Sequence, residues 1–232
     1  MNKITGIKAI SFDGDGTLWD FEKVMRHSLR LVLEELEKMD PQAVDMLDVE
    51  NMIKIRNRVA EKLKDKVTNL EEIRLEAFRQ TLKDIGRPND TLASRLNRLY
   101  LKHRFEDIEL FKDVLPTFEA LRKKFVLGLL SNGNNYPERC GLGGVFQFVI
   151  FSQDYGIEKP DPRIFRIALE KAGVSEKELL HVGDDLEIDI KGAIDVGINY
   201  VWLNRRKAKN ILDLKIEYEI SSLLELPEIL GN

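Results

Sequence analysis

Apolar positions change their spacing twice along this chain. Ala9, Ile10 and Phe12 sit in a short apolar run, the pattern of a strand buried on both faces. From about Asp20 to Glu106 apolar residues recur three and four positions apart, as on one face of a helix. Val24, Leu29, Val32, Leu33 and Leu36 make the first stripe. Asp40-Pro41 fits an N-cap before a first-turn proline and is expected to open the second, through Met52, Ile55, Val59 and Leu63. Thr68 and Glu71 have capping-box spacing ahead of Leu75, Phe78 and Leu82, and Gly86-Arg87-Pro88 stops that stripe. Leu92, Leu96, Leu99 and Tyr100 make the fourth. Four helices without a strand predict a small helical bundle.

From Phe111 the pattern alternates. Val114 to Lys124 reads as a helix, and Phe125 to Leu130 as an apolar strand. Further strands are expected at Phe148–Ile150, Leu179–Val182 and Tyr200–Leu203. Helical stretches near Pro137 to Leu142, after Asp161-Pro162 and from Asp189 to Val196 separate them, and Ser175 with Glu178 repeats capping-box spacing. Tyr218-Glu219-Ile220 and a helix over Leu223 to Leu230 close the chain. This predicts an α/β fold, a Rossmann-like parallel sheet covered on both faces. The core is expected from residues 1–19 and 107–232, with residues 20–106 inserted after the first strand as a helical bundle.

Composition narrows the function. The chain has 232 residues, 43% hydrophobic and 33% charged, which suits a soluble globular protein. A net charge of −4 without a basic block disfavours nucleic acid as a partner. No apolar run is long enough to span a membrane, and the residues before Asp13 are too few for a signal peptide. The single Cys140 forms no internal disulfide, which fits a reducing cytoplasm.

Candidate chemistry collects at the strand ends. Asp13 and Asp15 follow the first strand, Ser131, Asn132 and Gly133 the second, and Asp184 and Asp185 a later one, with Lys159 in a loop between. In a parallel sheet these ends open on one edge. Like charges as close as Asp13 and Asp15 need an ion or a shared proton, and a hard cation such as Mg²⁺ suits oxygen ligands. Gly14 and Gly16 allow a sharp turn, and Thr17 offers a hydroxyl to an anion. An acidic, glycine-rich turn without chemistry is the plain alternative for this stretch. Together the groups have the parts of a phosphoryl-transfer site: a carboxylate nucleophile, a hydroxyl and an amide, a cation, and further carboxylates for a metal.

The chain resembles the haloacid dehalogenase superfamily of hydrolases. Asp13-Gly14-Asp15-Gly16-Thr17, Ser131-Asn132-Gly133, Lys159-Pro160-Asp161-Pro162 and Gly183-Asp184-Asp185-Leu186-Glu187-Ile188-Asp189 match its four signatures in order. The insert looks like the family's alpha-helical cap, and the whole like its phosphoglycolate-phosphatase-like branch. Asp185 and Ile188 depart from the Ser and Asn often found there, which touches the surroundings of the metal. The resemblance implies that Asp13 is the nucleophile and Asp15 the general acid and base. It implies that Lys159 balances charge and that Thr17, Ser131 or Asn132, and Gly133 hold the substrate. It implies that Asp13, the Asp15 carbonyl, Asp184 and Asp189 hold or support Mg²⁺.

The implied activity is Mg²⁺-dependent hydrolysis of a small phosphorylated metabolite, such as phosphoglycolate or glyceraldehyde 3-phosphate. The alternatives are a 2-haloacid dehalogenase, a phosphomutase and a non-catalytic binding module. The dehalogenases of this family typically have no acid two residues after the nucleophile, so Asp15 and Asp184 favour phosphate. His27, His103 and His181 read as structural, and Cys140 as incidental. Arg26, Arg74, Arg79 and Arg104 read as solvated helix faces. Asp161 reads as a helix cap. Asp184 with Asp189 could cap the helix that follows them, and Lys159 could be an ordinary solvated lysine. The sequence leaves the exact substrate and the oligomeric state open.

Overall fold

The structure is a computed structural model and describes residues 3–64 and 66–231. The ends of the expected core, residues 1, 2 and 232, lie outside the described residues. The chain divides into two compact units, Met1–Asp20 with Glu109–Asn232, and Phe21–Ile108.

The first unit is built on a parallel sheet. Its strands are β1 (Ala9–Phe12), β2 (Val126–Ser131), β3 (Phe148–Phe151), β4 (Leu179–Gly183), β5 (Asn199–Leu203) and β6 (Glu219–Ile220). Their order across the sheet is β3-β2-β1-β4-β5-β6, and every pairing is parallel. All four residues of β1 are buried, as expected of a strand covered on both faces. Ile164, Phe165, Ala168 and Leu169 of a helix at Pro162–Ala172 pack against Leu130, Ile150 and Leu179. Each of the larger of these side chains contributes roughly 2 kcal/mol by leaving water. Chain order reverses at β1, with β2 on one side and β4 on the other. That reversal opens a crevice at the carboxyl ends of the strands, where open α/β sheets bind ligands.

The second unit consists, among the described residues, of five helices. They are α1 (Phe21–Met39), α2 (Pro41–Val44), α3 (Val49–Leu63), α4 (Leu70–Asp84) and α5 (Asp90–Glu106). Leu29, Val32, Leu36, Met52, Phe78, Leu82, Leu96 and Tyr100 form its core, so the stripes read from the sequence do face inward. The caps differ from the expectation. Asp40-Pro41 opens only the single turn α2, and the Asp40 carboxylate accepts from Arg87 Nε at 2.8 Å. Asp48 caps α3 instead, its side chain accepting from Asn51 N at 2.7 Å. Asn69 rather than Thr68 caps α4, its side chain accepting from the N–H groups of both Glu71 and Glu72. Ser175 and Glu178 close a turn before β4, with no helix after them. No helix of the described residues is long and apolar enough to cross a membrane.

Candidate active site

β1 ends at Phe12, and Asp13 continues its ladder by donating its N–H to Val182 O at 2.9 Å. The chain then leaves the sheet in a tight loop. Gly14 O accepts from Leu18 N, and Gly16 N donates to Trp19 O, both at 2.8 Å. Gly16 has φ +91°, and a Cβ there would strike the Asp184 carboxylate, so only glycine fits this approach. The loop is clamped from a distance. Arg205 donates to Thr17 O at 2.9 Å and to both Asp113 oxygens, at 2.7 and 2.9 Å.

Asp13 and Asp15 part company in this loop. Asp13 is buried and its Oδ1 accepts from Lys159 Nζ at 2.6 Å. Asp15 Oδ1 instead accepts from the indole of Trp19 at 2.5 Å and from Asn135 Nδ2 at 3.1 Å. The chain turns between them instead of staying extended, and the two carboxylates take different hydrogen-bond partners. At Gly133 a Cβ would lie 2.8 Å from Asp15 Oδ2, so this glycine keeps space beside that oxygen.

Lys159 is not a solvated lysine: its side chain is 1% exposed. Its Nζ bridges Asp13 Oδ1 and Asp189 Oδ1, each at 2.6 Å. Behind Asp189 stands His181, with Nε2 3.2 Å from Asp189 Oδ1 and Nδ1 2.9 Å from Ser11 Oγ. A carboxylate only accepts, so His181 Nε2 carries the proton and Nδ1 accepts from the Ser11 hydroxyl. Burial lowers the His181 pKa, which keeps the ring neutral. Asp189 Oδ2 accepts from Asp185 N at 3.1 Å. Both oxygens of Asp189 are thus engaged by the protein.

Asp184 completes the group. Donor oxygens of Asp13, Asp184 and Asp189 all lie within 4.8 Å of one another. Burial raises the Asp13 carboxyl well above its ordinary range, against Lys159, with Asp189 and Asp184 adding to the rise. Burial likewise pushes Asp184 up to about 7, with Asp189 the next cause. Burial works against the charge of Lys159 too, but Asp13 and Asp189 override it and hold the ammonium charged. Asp189 is buried as well, yet Lys159 and His181 keep its carboxyl well below the usual range. Three carboxylates thus face one ammonium, an excess of negative charge that an added cation would relieve. The donor set is oxygen only, which suits a hard divalent cation.

Several expected substrate contacts turn inward instead. Thr17 is fully buried and donates to Asp184 Oδ1 at 3.4 Å, which orients that carboxylate. Asn132 gives Nδ2 to Lys159 O at 2.9 Å and takes Lys159 N at 2.8 Å and Ser152 Oγ at 2.6 Å on Oδ1. It holds the loop that carries Lys159. Ser131 Oγ accepts from Gly133 N at 3.0 Å, which leaves its own proton to donate. Asp185, not Asp184 with Asp189, caps the turn that follows β4, accepting from the N–H groups of Glu187 and Ile188 at 2.8 Å each. Asp161 caps the helix at Pro162–Ala172 as expected, accepting from Arg163 N at 2.8 Å. Ser11, Asn135, His181 and Arg205 were not singled out as site residues from the sequence. A histidine within an apolar strand was the one visible signal, since such a ring needs buried partners.

Comparison with known proteins agrees with this geometry. The profile of the haloacid dehalogenase-like hydrolases matches residues 7–197. The 5-amino-6-(5-phospho-D-ribitylamino)uracil phosphatase YigB of Escherichia coli strain K12 is 30% identical, over 85% of this chain and 83% of that protein. A glyceraldehyde 3-phosphate phosphatase of Methanopyrus kandleri is 29% identical, over 88% of this chain and 87% of its own. The crystal structure of a 2-haloacid dehalogenase from Pseudomonas syringae pv. Tomato DC3000 superimposes with a TM-score of 0.80 at 32% identity. It covers 96% of this chain and 97% of that one.

Proposed function

Because this chain belongs to the haloacid dehalogenase-like hydrolases, we propose that it is a Mg²⁺-dependent phosphatase of small phosphorylated metabolites. Asp13 is the nucleophile in this reading. Its carboxylate attacks phosphorus and forms an acyl phosphate while the ester oxygen departs. Asp15 gives that oxygen a proton, then takes one from the water that attacks the same phosphorus. Inorganic phosphate leaves and the Asp13 carboxylate is restored. Lys159 opposes the rise that burial imposes on Asp13 and balances the charge of its carboxylate. Ser131 donates its hydroxyl to a phosphate oxygen. Asp13, the Asp15 carbonyl and Asp184 would hold the Mg²⁺, with Asp189 supporting the ion or its waters. The ion, when bound, offsets charge on the phosphoryl oxygens.

One observation carries the choice of phosphate over halide. Asp15 is a second carboxylate held apart from Asp13, by Trp19 and Asn135. A departing alkoxide needs a proton and a departing halide does not, so a positioned acid has work only in the first reaction. The dehalogenase named above shares the fold and keeps the second reading open to test. The two phosphatases named above act on a ribityl phosphate and a triose phosphate. We infer a similar substrate class here, a phosphate ester at the end of a hydroxylated carbon chain. We assign its selection to residues 21–108, the proposed cap. A buried, unbridged Cys140 suits a reducing compartment such as the cytoplasm.

The test is a panel of phosphorylated sugars and acids with Mg²⁺, read as phosphate release, beside chloride release from 2-chloropropionate. Phosphate release that stops on chelation supports the proposal. Halide release that persists without metal overturns it.

A further inference from the structure

The helical unit holds a second group of metal-ligating side chains, on residues the catalytic proposal does not use. His27 lies near the start of α1, and His103 and Asp107 lie four positions apart at the end of α5. That spacing sets the last two on one helix face. α1 and α5 pack together within the unit, which brings His27 to them. Asp107 Oδ2 is 2.7 Å from His103 Nδ1 and 3.3 Å from His27 Nε2. The two imidazole rings meet edge to face with centroids 6.3 Å apart. One donor atom from each residue lies within 4.8 Å of the others. Side-chain exposures of 46% for His27, 23% for His103 and 37% for Asp107 leave the group open to solvent.

Two imidazole nitrogens and one carboxylate oxygen are a donor set for a borderline transition ion, not for Mg²⁺. Ligands at about 2.0–2.1 Å from a tetrahedral ion stand roughly 3.3 Å from one another. The separations from Asp107, 2.7 and 3.3 Å, and the limit of 4.8 Å on the group bracket that spacing. In the metal-free arrangement Asp107 accepts protons that the imidazoles carry, and an ion would replace those protons. We propose that His27, His103 and Asp107 form a Zn²⁺ site, with water as the fourth ligand, which ties the first turns of α1 to the last turn of α5. Those helix ends are also where the chain enters and leaves the unit, at Phe21 and Ile108. The proposal is independent of the catalytic reading, since it shares no residue with it.

Co²⁺ is the probe, added to the whole chain without a histidine tag and with excess Mg²⁺ present to compete for the acidic group. One equivalent should give the intense visible ligand-field band of a four-coordinate site, and Zn²⁺ should displace it. His27→Ala and His103→Ala should each abolish the band, and Asp184→Asn should keep it. Zn²⁺ should also raise the melting temperature of the parent chain and of neither histidine variant. Circular dichroism checks that the variants fold, and His27→Gln and His103→Gln, which keep the surface polar, repeat the test. Absence of the band in the parent chain would overturn the proposal, as would a band that survives loss of either histidine.

Discussion

The two units bury charge in different ways. In the sheet unit, Asp13, Lys159, Asp189 and His181 are buried beside one another, and each meets a partner within 3.2 Å. In the helical unit, the fully buried Arg104 lays its guanidinium over the rings of Phe21 and Phe105, 5.0 Å from each centroid. Arg74 is also only 5% exposed there. These two arginines are not the solvated helix faces that the sequence suggested. The first arrangement is a set of opposite charges under mutual constraint, and shifted protonation follows from it. In the second, the faces of Phe21 and Phe105 attract the guanidinium of Arg104.

The comparison breaks most sharply at Asp13. Asp13→Asn keeps the shape of the side chain and removes the attacking charge. Turnover should fall by about 10⁴-fold or more, measured as phosphate release on the best substrate. Lys159 keeps Asp189 as its partner, so the variant should still fold. Turnover within tenfold of the parent would end the covalent mechanism.

Lys159→Met tests the buried charge cluster itself. It leaves Asp13 and Asp189 buried without their cation, which should cost about 3–5 kcal/mol of stability in denaturant titration. Arg104→Met removes a buried cation from the other unit but keeps apolar contact with Phe21 and Phe105. Loss of the cation–π attraction contributes about 1–2 kcal/mol to its cost. A cost below about 0.5 kcal/mol would mean that the ring faces do not hold the guanidinium.

Protonation sharpens the same contrast. In the metal-free protein Asp184 is pushed up to about 7, so its carboxyl is neutral below that pH and charged above it. Mg²⁺ must displace the proton. Its affinity should therefore weaken about tenfold per pH unit on going below pH 7, and level off above it. The raised pKa of Asp13 steepens the fall. The sign for stability is the reverse. A folded carboxyl with a raised pKa binds a proton that the unfolded one has lost, so Asp184 favours the metal-free fold most at low pH. That contribution declines between about pH 4 and 7. Calorimetric titration of Mg²⁺ across pH 5.5 to 8 measures the first effect, and flat affinity over that range would remove Asp184 from the metal site.

Much of the sheet unit was legible because its chemistry sits on strand ends. Apolar runs locate the strands, and a parallel sheet sends every carboxyl end to one edge. Asp13 and Asp184 meet there for that reason, and Lys159 joins them from a loop. What stayed hidden depends on strand register and on loop paths. Ser11 lies beside His181 only because β1 pairs with β4 in that register. Asn135 reaches Asp15, and Arg205 reaches Asp113, across 120 and 92 positions of sequence. Thr17 and Asn132 were assigned to a substrate because polar groups near a site look outward in a sequence, whereas both bond inward. In the helical unit the stripes gave the core but not the caps. Asp40, Asp48, Thr68 and Asn69 are all good cap residues, and only backbone geometry chooses among them. The buried arginines escape the sequence because an arginine on an amphipathic stripe edge has the same spacing whether it is solvated or buried.

The smallest effect tests whether the two units respond separately. Asp48 caps α3 through one hydrogen bond, Asn51 N to its Oδ1 at 2.7 Å. Asp48→Ala leaves that N–H to water and should destabilise the helical unit by about 1 kcal/mol. In a chain of this size that is a fall of roughly 2–4 °C in melting temperature. Asp48 has no part in the cluster of Asp13, Lys159, Asp184 and Asp189, so the pH profile of Mg²⁺ affinity should not move. Helix stability and carboxylate protonation then behave as separate properties of separate units. If the variant instead shifts the Mg²⁺ profile by half a pH unit or more, the helical unit influences the charge on Asp184. The buried cluster would then no longer be set by its own members alone.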